Sequence, residues 1–277
     1  MRFGWKPREA SSRIRWLARI TAVIVVVAYL VIYWFQPFSE FTNTLLINSF
    51  TALASIFAAV IATMIWGLYE NGEAPRRVWG NFAIGLWLWV AGEISWGYIN
   101  LTRGEVPVGT QDVFWMVSYF FFGQALVTQY KIINQPTVLE LRSRVLIVLL
   151  SIAGLIWLTY NFLIMTSQTT DKVSALANAF YPGVDALLAI IALWLARNFA
   201  GGAFARPWWG ILAFSFSDLT YAWLDLSGMY AWSVDQGNLL SVITDVAYFA
   251  AYLILGLGVL SQWLFLKYGL RASTEPR

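Results

Sequence analysis

Residues 17–35 read LARITAVIVVVAYLVIYWF, an apolar run carrying a single charge, Arg19. A hydrocarbon core about 30 Å thick is crossed by about 20 apolar residues in α-helical conformation. The run follows a basic segment, as the apolar part of a signal peptide does. It is too long for one, and it ends in Tyr33-Trp34-Phe35-Gln36-Pro37 without the small residues of a cleavage site, so it reads as a retained helix. Seven further runs of this kind follow: Leu45 to Tyr69, Val78 to Leu101, Val113 to Tyr130, Val145 to Met165, Ala175 to Leu195, Trp208 to Met229 and Leu239 to Phe265. The chain is therefore predicted to be an all-α polytopic membrane protein with eight transmembrane helices.

Composition supports this. Of 277 residues 59% are hydrophobic and 12% charged, whereas soluble domains hold about 45–50% apolar and about 25% charged residues. Cys and His are both absent. That removes zinc sites of the usual kind, His-ligated haem, iron–sulfur clusters, cysteine nucleophiles, disulfides and Ser-His-Asp triads. No metal or other cofactor is expected, and no nucleophile, base and orienting group assemble into an enzyme.

Lys and Arg set the orientation, because cytoplasmic loops retain positive charge. Sixteen of the 18 fall on the side that holds the N-terminus, and only Arg103 and Lys172 on the other. Both termini are therefore expected in the cytoplasm, with the protein in the cell membrane. The division is a basic arm over 1–16, membrane halves over 17–137 and 138–266, and a short tail over 267–277. The net charge of +3 then reports topology and attraction to the lipid bilayer rather than nucleic-acid binding.

Two segment pairs suggest that the halves repeat. Gln111-Asp112-Val113-Phe114-Trp115-Met116-Val117-Ser118-Tyr119 matches Thr244-Asp245-Val246-Ala247-Tyr248-Phe249-Ala250-Ala251-Tyr252 at Asp, Val and the last Tyr, with an aromatic at the fifth position and Gly123 and Gly256 beyond. More loosely, Gly92-Glu93-Ile94-Ser95-Trp96-Gly97-Tyr98 matches Ser217-Asp218-Leu219-Thr220-Tyr221-Ala222-Trp223. Each pair is four helices apart, so the halves would be parallel four-helix units related by an axis near the membrane normal.

Ionisable groups within spans are costly, about 2.5–3.5 kcal/mol each on insertion scales, and mark candidate sites. Glu93, Asp185, Asp218, Asp225 and Asp245 lie within the runs, and Asp112 at the mouth of one. Trp96, Trp115, Tyr221 and Tyr248 complete the candidate set, because each acid shares a helical face with aromatics. Two arrangements fit. In one, the acids accept hydrogen bonds from tyrosines and indoles and fasten helices together. In the other, they line a pocket in the outer half of the bilayer for a small cationic or planar apolar ligand, with cation–π contacts from the rings. A proton or ion path is a third use of the same groups. Tyr181-Pro182-Gly183 is expected to kink the sixth span, and Trp34, Trp66, Trp157, Trp208, Trp209 and Trp263 read as interfacial anchors.

The run Trp87-Leu88-Trp89-Val90-Ala91-Gly92-Glu93-Ile94-Ser95-Trp96-Gly97-Tyr98, a loop with Pro107, then Asp112 with Trp115 and Tyr119 resembles a motif of prokaryotic polytopic membrane regions that often precede diguanylate cyclase or histidine kinase domains. The resemblance implies membrane sensing or scaffolding. Two departures stand out: the usual Pro-Ser-x-Asp is here Pro107-Val108-Gly109-Thr110-Gln111-Asp112, and no output domain follows Phe265. The expected function is an integral membrane sensor or ligand-binding module that acts through a separate signalling or complex partner. A small transporter or proton-coupled permease, and an accessory subunit of a membrane complex, are the alternatives.

Overall fold

The computed structural model describes residues 7–103, 108–133, 141–168, 171–199, 202–230 and 238–269. Pro107, the division between 137 and 138, and the basic residues Arg2, Lys6, Arg271 and Arg277 lie outside the described residues. Eight α-helices occur among those described: α1 (Pro7–Phe35), α2 (Glu40–Trp66), α3 (Ala74–Arg103), α4 (Thr110–Ile133), α5 (Leu141–Gln168), α6 (Lys172–Asn198), α7 (Arg206–Leu226) and α8 (Leu239–Leu264). A short π-helical turn, Phe265–Gly269, continues α8, and no strand occurs among the described residues. Five helices are long and apolar enough to cross a membrane: α1 from Ser11, α2, α3, α6, and α8 with the turn that follows it. In α4 and α7 the apolar runs are broken by Asp112, Gln124 and Gln129, and by Asp218 and Asp225.

Local chemistry accounts for the ends. Helix α1 already covers residues 7–16, ahead of the apolar run, so this part of the expected arm is helical. The Arg- and Ala-containing residues after Pro7 hold no breaker. Gln36 takes a positive φ of 45° ahead of Pro37, which stops α1. Asn43 then braces the turn, donating to the Phe38 carbonyl at 2.9 Å and accepting from its amide at 3.3 Å. Ser39, Asp171 and Asn238 cap α2, α6 and α8 by accepting from Thr42, Val173 and Ser241 amides.

Packing contacts run from α2 to α3, α4, α6, α7, α8 and back to α2, closing a six-helix ring. Outside the ring, α1 leans on α8 and α2, and α5 on α6. Both outer helices turn large apolar side chains outward, among them Val23, Ile24 and Val27 on α1 and Leu155 and Ile156 on α5, as a lipid-facing surface requires. Close approach inside the ring depends on glycine. A Cβ on Gly85 of α3 would lie 2.8 Å from the Phe122 ring of α4, and one on Gly210 of α7 would lie 2.5 Å from the Leu255 Cα of α8.

Aromatic side chains fill one end of the interior. Trp79, Phe82 and Trp208 are buried together, with ring centroids 5.4 Å apart for Trp79 and Phe82 and 5.9 Å for Phe82 and Trp208. Trp208 is thus a core residue and not the interfacial anchor its position near a span end suggested. A second layer joins Trp89 of α3 to Phe214 of α7 edge to face at 4.8 Å. Beyond that layer, on the side of the C-terminal ends of α3 and α7, the interior becomes polar.

Candidate functional site

Glu93 sits one turn beyond Trp89 and is 5% exposed. Its Oε1 accepts from Tyr248 at 2.7 Å and from Tyr252 at 2.6 Å. These two tyrosines are one turn apart on α8, their hydroxyls are 3.1 Å from each other, and the Trp89 indole donates to Tyr248 at 3.4 Å. One carboxylate from α3 is thereby held by a ladder of donors from α8.

On the facing side the arrangement is less complete. Asp185 of α6, 1% exposed, accepts from Tyr119 of α4 at 2.8 Å through Oδ1, while its buried Oδ2 has no partner among the described residues. Asp218 of α7 is half-buried, makes no hydrogen bond to a described residue, and lies close enough to Asp185 and Glu93 to interact with both electrostatically. Further buried polar atoms without a partner among the described residues are Gln111 Oε1 and Trp115 Nε1 on α4, the Ser215 and Ser217 hydroxyls on α7 and, at the opposite end of the bundle, Trp208 Nε1 on α7 and Gln262 Oε1 on α8. With Asp185 Oδ2, five of these seven atoms lie on the stretches of α4, α6 and α7 that surround Asp185 and Asp218. An unpaired buried oxygen or N–H costs about 1–3 kcal/mol, so such a concentration calls for a role.

Asp112 joins this group through Tyr181, whose hydroxyl donates to Oδ1 at 2.7 Å. Its other oxygen accepts from the Gly109 amide at 2.7 Å, which closes the first turn of α4 in the manner of a capping box. Tyr181, next to Pro182 in α6, carries the network from the mouth of the bundle towards Asp185 and Asp218. Trp115 packs beside it at 6.5 Å between ring centroids and reaches Trp96 at 6.4 Å. A side chain at Gly92 would fall 2.4 Å from the Trp115 indole nitrogen, so glycine is what admits this ring.

Asp245 forms a separate knot. It accepts from Tyr33 of α1 and, at 3.1 Å, from Tyr230 beyond the end of α7. Tyr221 is 42% exposed and packs on Tyr230 at 4.8 Å. Asp225 is exposed near the end of α7 and makes no hydrogen bond to a described side chain. Of the candidates, Glu93, Asp112, Asp185, Asp218, Trp115 and Tyr248 meet inside the ring, with Trp96 at its edge; Asp245 and Tyr221 stand apart, and Asp225 joins neither group.

The donors are what sequence reasoning missed: Tyr33, Tyr119, Tyr181, Tyr230 and Tyr252. A signal existed for two of them, since Tyr119 and Tyr252 each follow an aspartate by seven residues and so share its helical face. Tyr33 and Tyr230 carry no comparable mark.

Apolar membrane-length helices around an interior of carboxylates and tyrosines define a helical membrane protein. No family model matches the chain, and no curated protein and no solved structure matches it.

Proposed function

We propose that the chain is an eight-span integral membrane sensor module of the prokaryotic plasma membrane, with both ends cytoplasmic, whose signal is the binding of a proton at Asp185 and Asp218. The observation that carries this reading is the orphaned Asp185 Oδ2 beside an Asp218 without a hydrogen bond, both inside the ring. A proton between two carboxylates satisfies both with one hydrogen bond, and its arrival or loss changes the attraction between α6 and α7. The output passes to a separate signalling partner.

The same reading treats the ring as two parallel halves about a central axis. Glu93 and Asp218 occupy matching places, Trp89 and Phe214 precede them by one turn and touch each other, and Gly85 and Gly210 precede those by another turn, each pressed by the facing helix of its own half. Matched positions make the difference informative. Glu93 receives both of its tyrosine bonds, whereas Tyr119, the counterpart of Tyr252, turns to Asp185 instead. One half is saturated and fastens helices; the other retains capacity and is the site.

Infrared difference spectroscopy of the full chain in lipid nanodiscs tests this. A carboxyl C=O band that titrates with pH and is lost in both Asp218→Asn and Asp185→Asn is expected; a band unchanged in both variants overturns the proposal. Proton-coupled transport is the second reading, favoured by Pro182 inside the continuous helix α6, one turn before Asp185, because a proline there has no amide hydrogen to pair the preceding turn's carbonyl and leaves it available on the helix that carries the acid. Flux in proteoliposomes that is pH-dependent and abolished in Asp218→Asn selects it.

A further inference from the structure

At the opposite end of the bundle, two adjoining clefts open between α1, α7 and α8. The first, about 420 Å³, is lined by Ser12, Arg15 and Arg19 of α1, Arg206 at the start of α7 and Ser261 of α8. The second, about 200 Å³, shares the three arginines and continues along Trp209, Ile254, Leu257 and Leu260. Trp209 and Ile254 are 44% and 46% exposed, so the second cleft is open at the flank of the bundle.

Arg206 is half-buried, donates to the Ser261 hydroxyl and lies near enough to Arg15 and Arg19 to feel both charges. Arg15 donates to Ser11 at 2.8 Å. None of the three is paired with a carboxylate among the described residues. Guanidinium groups repel one another, and holding three around one cleft is unfavourable until an anion enters. Arginine forks match phosphate oxygens in pairs. The two clefts meet at the shared arginines, and only the second runs on along an apolar wall, so a single occupant filling both is amphipathic, with its charged part at the arginines.

We propose that this is a binding site for one anionic phospholipid, its phosphate held by Arg15, Arg19 and Arg206 with Ser261, and an acyl chain laid along Trp209, Ile254 and Leu257. The site joins α1, which leans on the ring from outside, to α7 and α8. It therefore makes the seating of the outer helix depend on the charge of the surrounding lipid. Basic pockets at the cytoplasmic ends of membrane helices take such headgroups by the same chemistry.

The experiment is native mass spectrometry of the full chain purified from vesicles of phosphatidylglycerol mixed equally with phosphatidylcholine. Retention of phosphatidylglycerol over phosphatidylcholine is expected, falling about five-fold in Arg19→Gln and about 25-fold in the double variant Arg15→Gln/Arg19→Gln. Arg103→Gln, at the other end of α3, should leave retention unchanged. Equal retention of the two lipids overturns the proposal, as does displacement of the bound lipid by equimolar inorganic phosphate, which would identify a soluble-anion site. If the double variant does not fold, the wild-type chain still decides: bound phosphatidylglycerol must fall as salt is raised before extraction, and salt-independent retention overturns the assignment.

Discussion

Tyr119 and Tyr252 end matching segments yet carry different loads. Tyr252→Phe leaves Glu93 its bond from Tyr248, so the expected loss is close to the about 0.6 kcal/mol average for a hydrogen bond between membrane helices. Tyr119→Phe strips Asp185 of its single bond from a described residue and should cost about 1–3 kcal/mol. Reversible unfolding in mixed micelles checks the order, Tyr119→Phe being the more destabilised. At this scale sequence was informative about one side of each bond. Carboxylates within apolar runs declare themselves by their cost, but a tyrosine in a membrane span is ordinary, and Tyr119 and Asp185 are partners across two helices that only the packing brings together. Asp225, with the same chemistry on paper, lies outside the network: it is two turns beyond Asp218, near the exposed end of α7.

Among the elements, α6 shows how a cap responds to acid. The Ser174 hydroxyl and the Val173 amide hold the Asp171 carboxyl below the usual carboxylate range. A lowered native value means that the cap's contribution is complete above the unfolded carboxylate pKa of about 3.9 and is lost as pH falls through the native value. Protection of the Val173 and Ser174 amides, taken relative to the intrinsic exchange rate at each pH, should therefore be present at neutral pH and lost only in acid below about pH 4, while Asp171→Ala lacks it throughout. Glycines offer a second test. Gly210→Ala forces a Cβ to 2.5 Å from the Leu255 backbone and should cost about 1–3 kcal/mol by overpacking. At Gly123 nothing lies within 4 Å, so Gly123→Ala should be neutral or stabilise by up to about 1 kcal/mol through helix propensity. Thermal unfolding of the two variants makes the comparison. The apolar runs fall on the eight helices among the described residues, and five of these are long and apolar enough to cross a membrane; the helical residues 7–16 escaped hydropathy, because a helix does not stop where an apolar run does.

For the whole molecule, the natural absence of Cys permits a direct test of orientation. Single cysteines at Arg77 and at Arg103 lie at opposite ends of α3; in intact cells a membrane-impermeant maleimide should label Arg103→Cys and spare Arg77→Cys. Labelling in the reverse order would invert the proposed topology. The closed ring itself was not legible in the sequence: that α4 meets α6, that α8 returns to α2, and that α1 and α5 stay outside depend on side-chain fit, which spacing alone does not encode. The cleft at Arg15, Arg19 and Arg206 was invisible for a similar reason: in the sequence these residues read as topology signals, and only folding brings α1 beside the start of α7.

The two aromatic layers of the ring form an apolar plug on one side of the acids. Trp79, Phe82 and Trp208, followed by Trp89 and Phe214, occupy the interior between the acids and the ends of the helices where α3 and α7 begin. An apolar stack of this depth carries no hydroxyl or carboxylate among those five side chains along which a proton could hop. A proton taken up at Asp218, as proposed, would find no polar side chain among these five to carry it towards that end, and would have to leave by the side it entered.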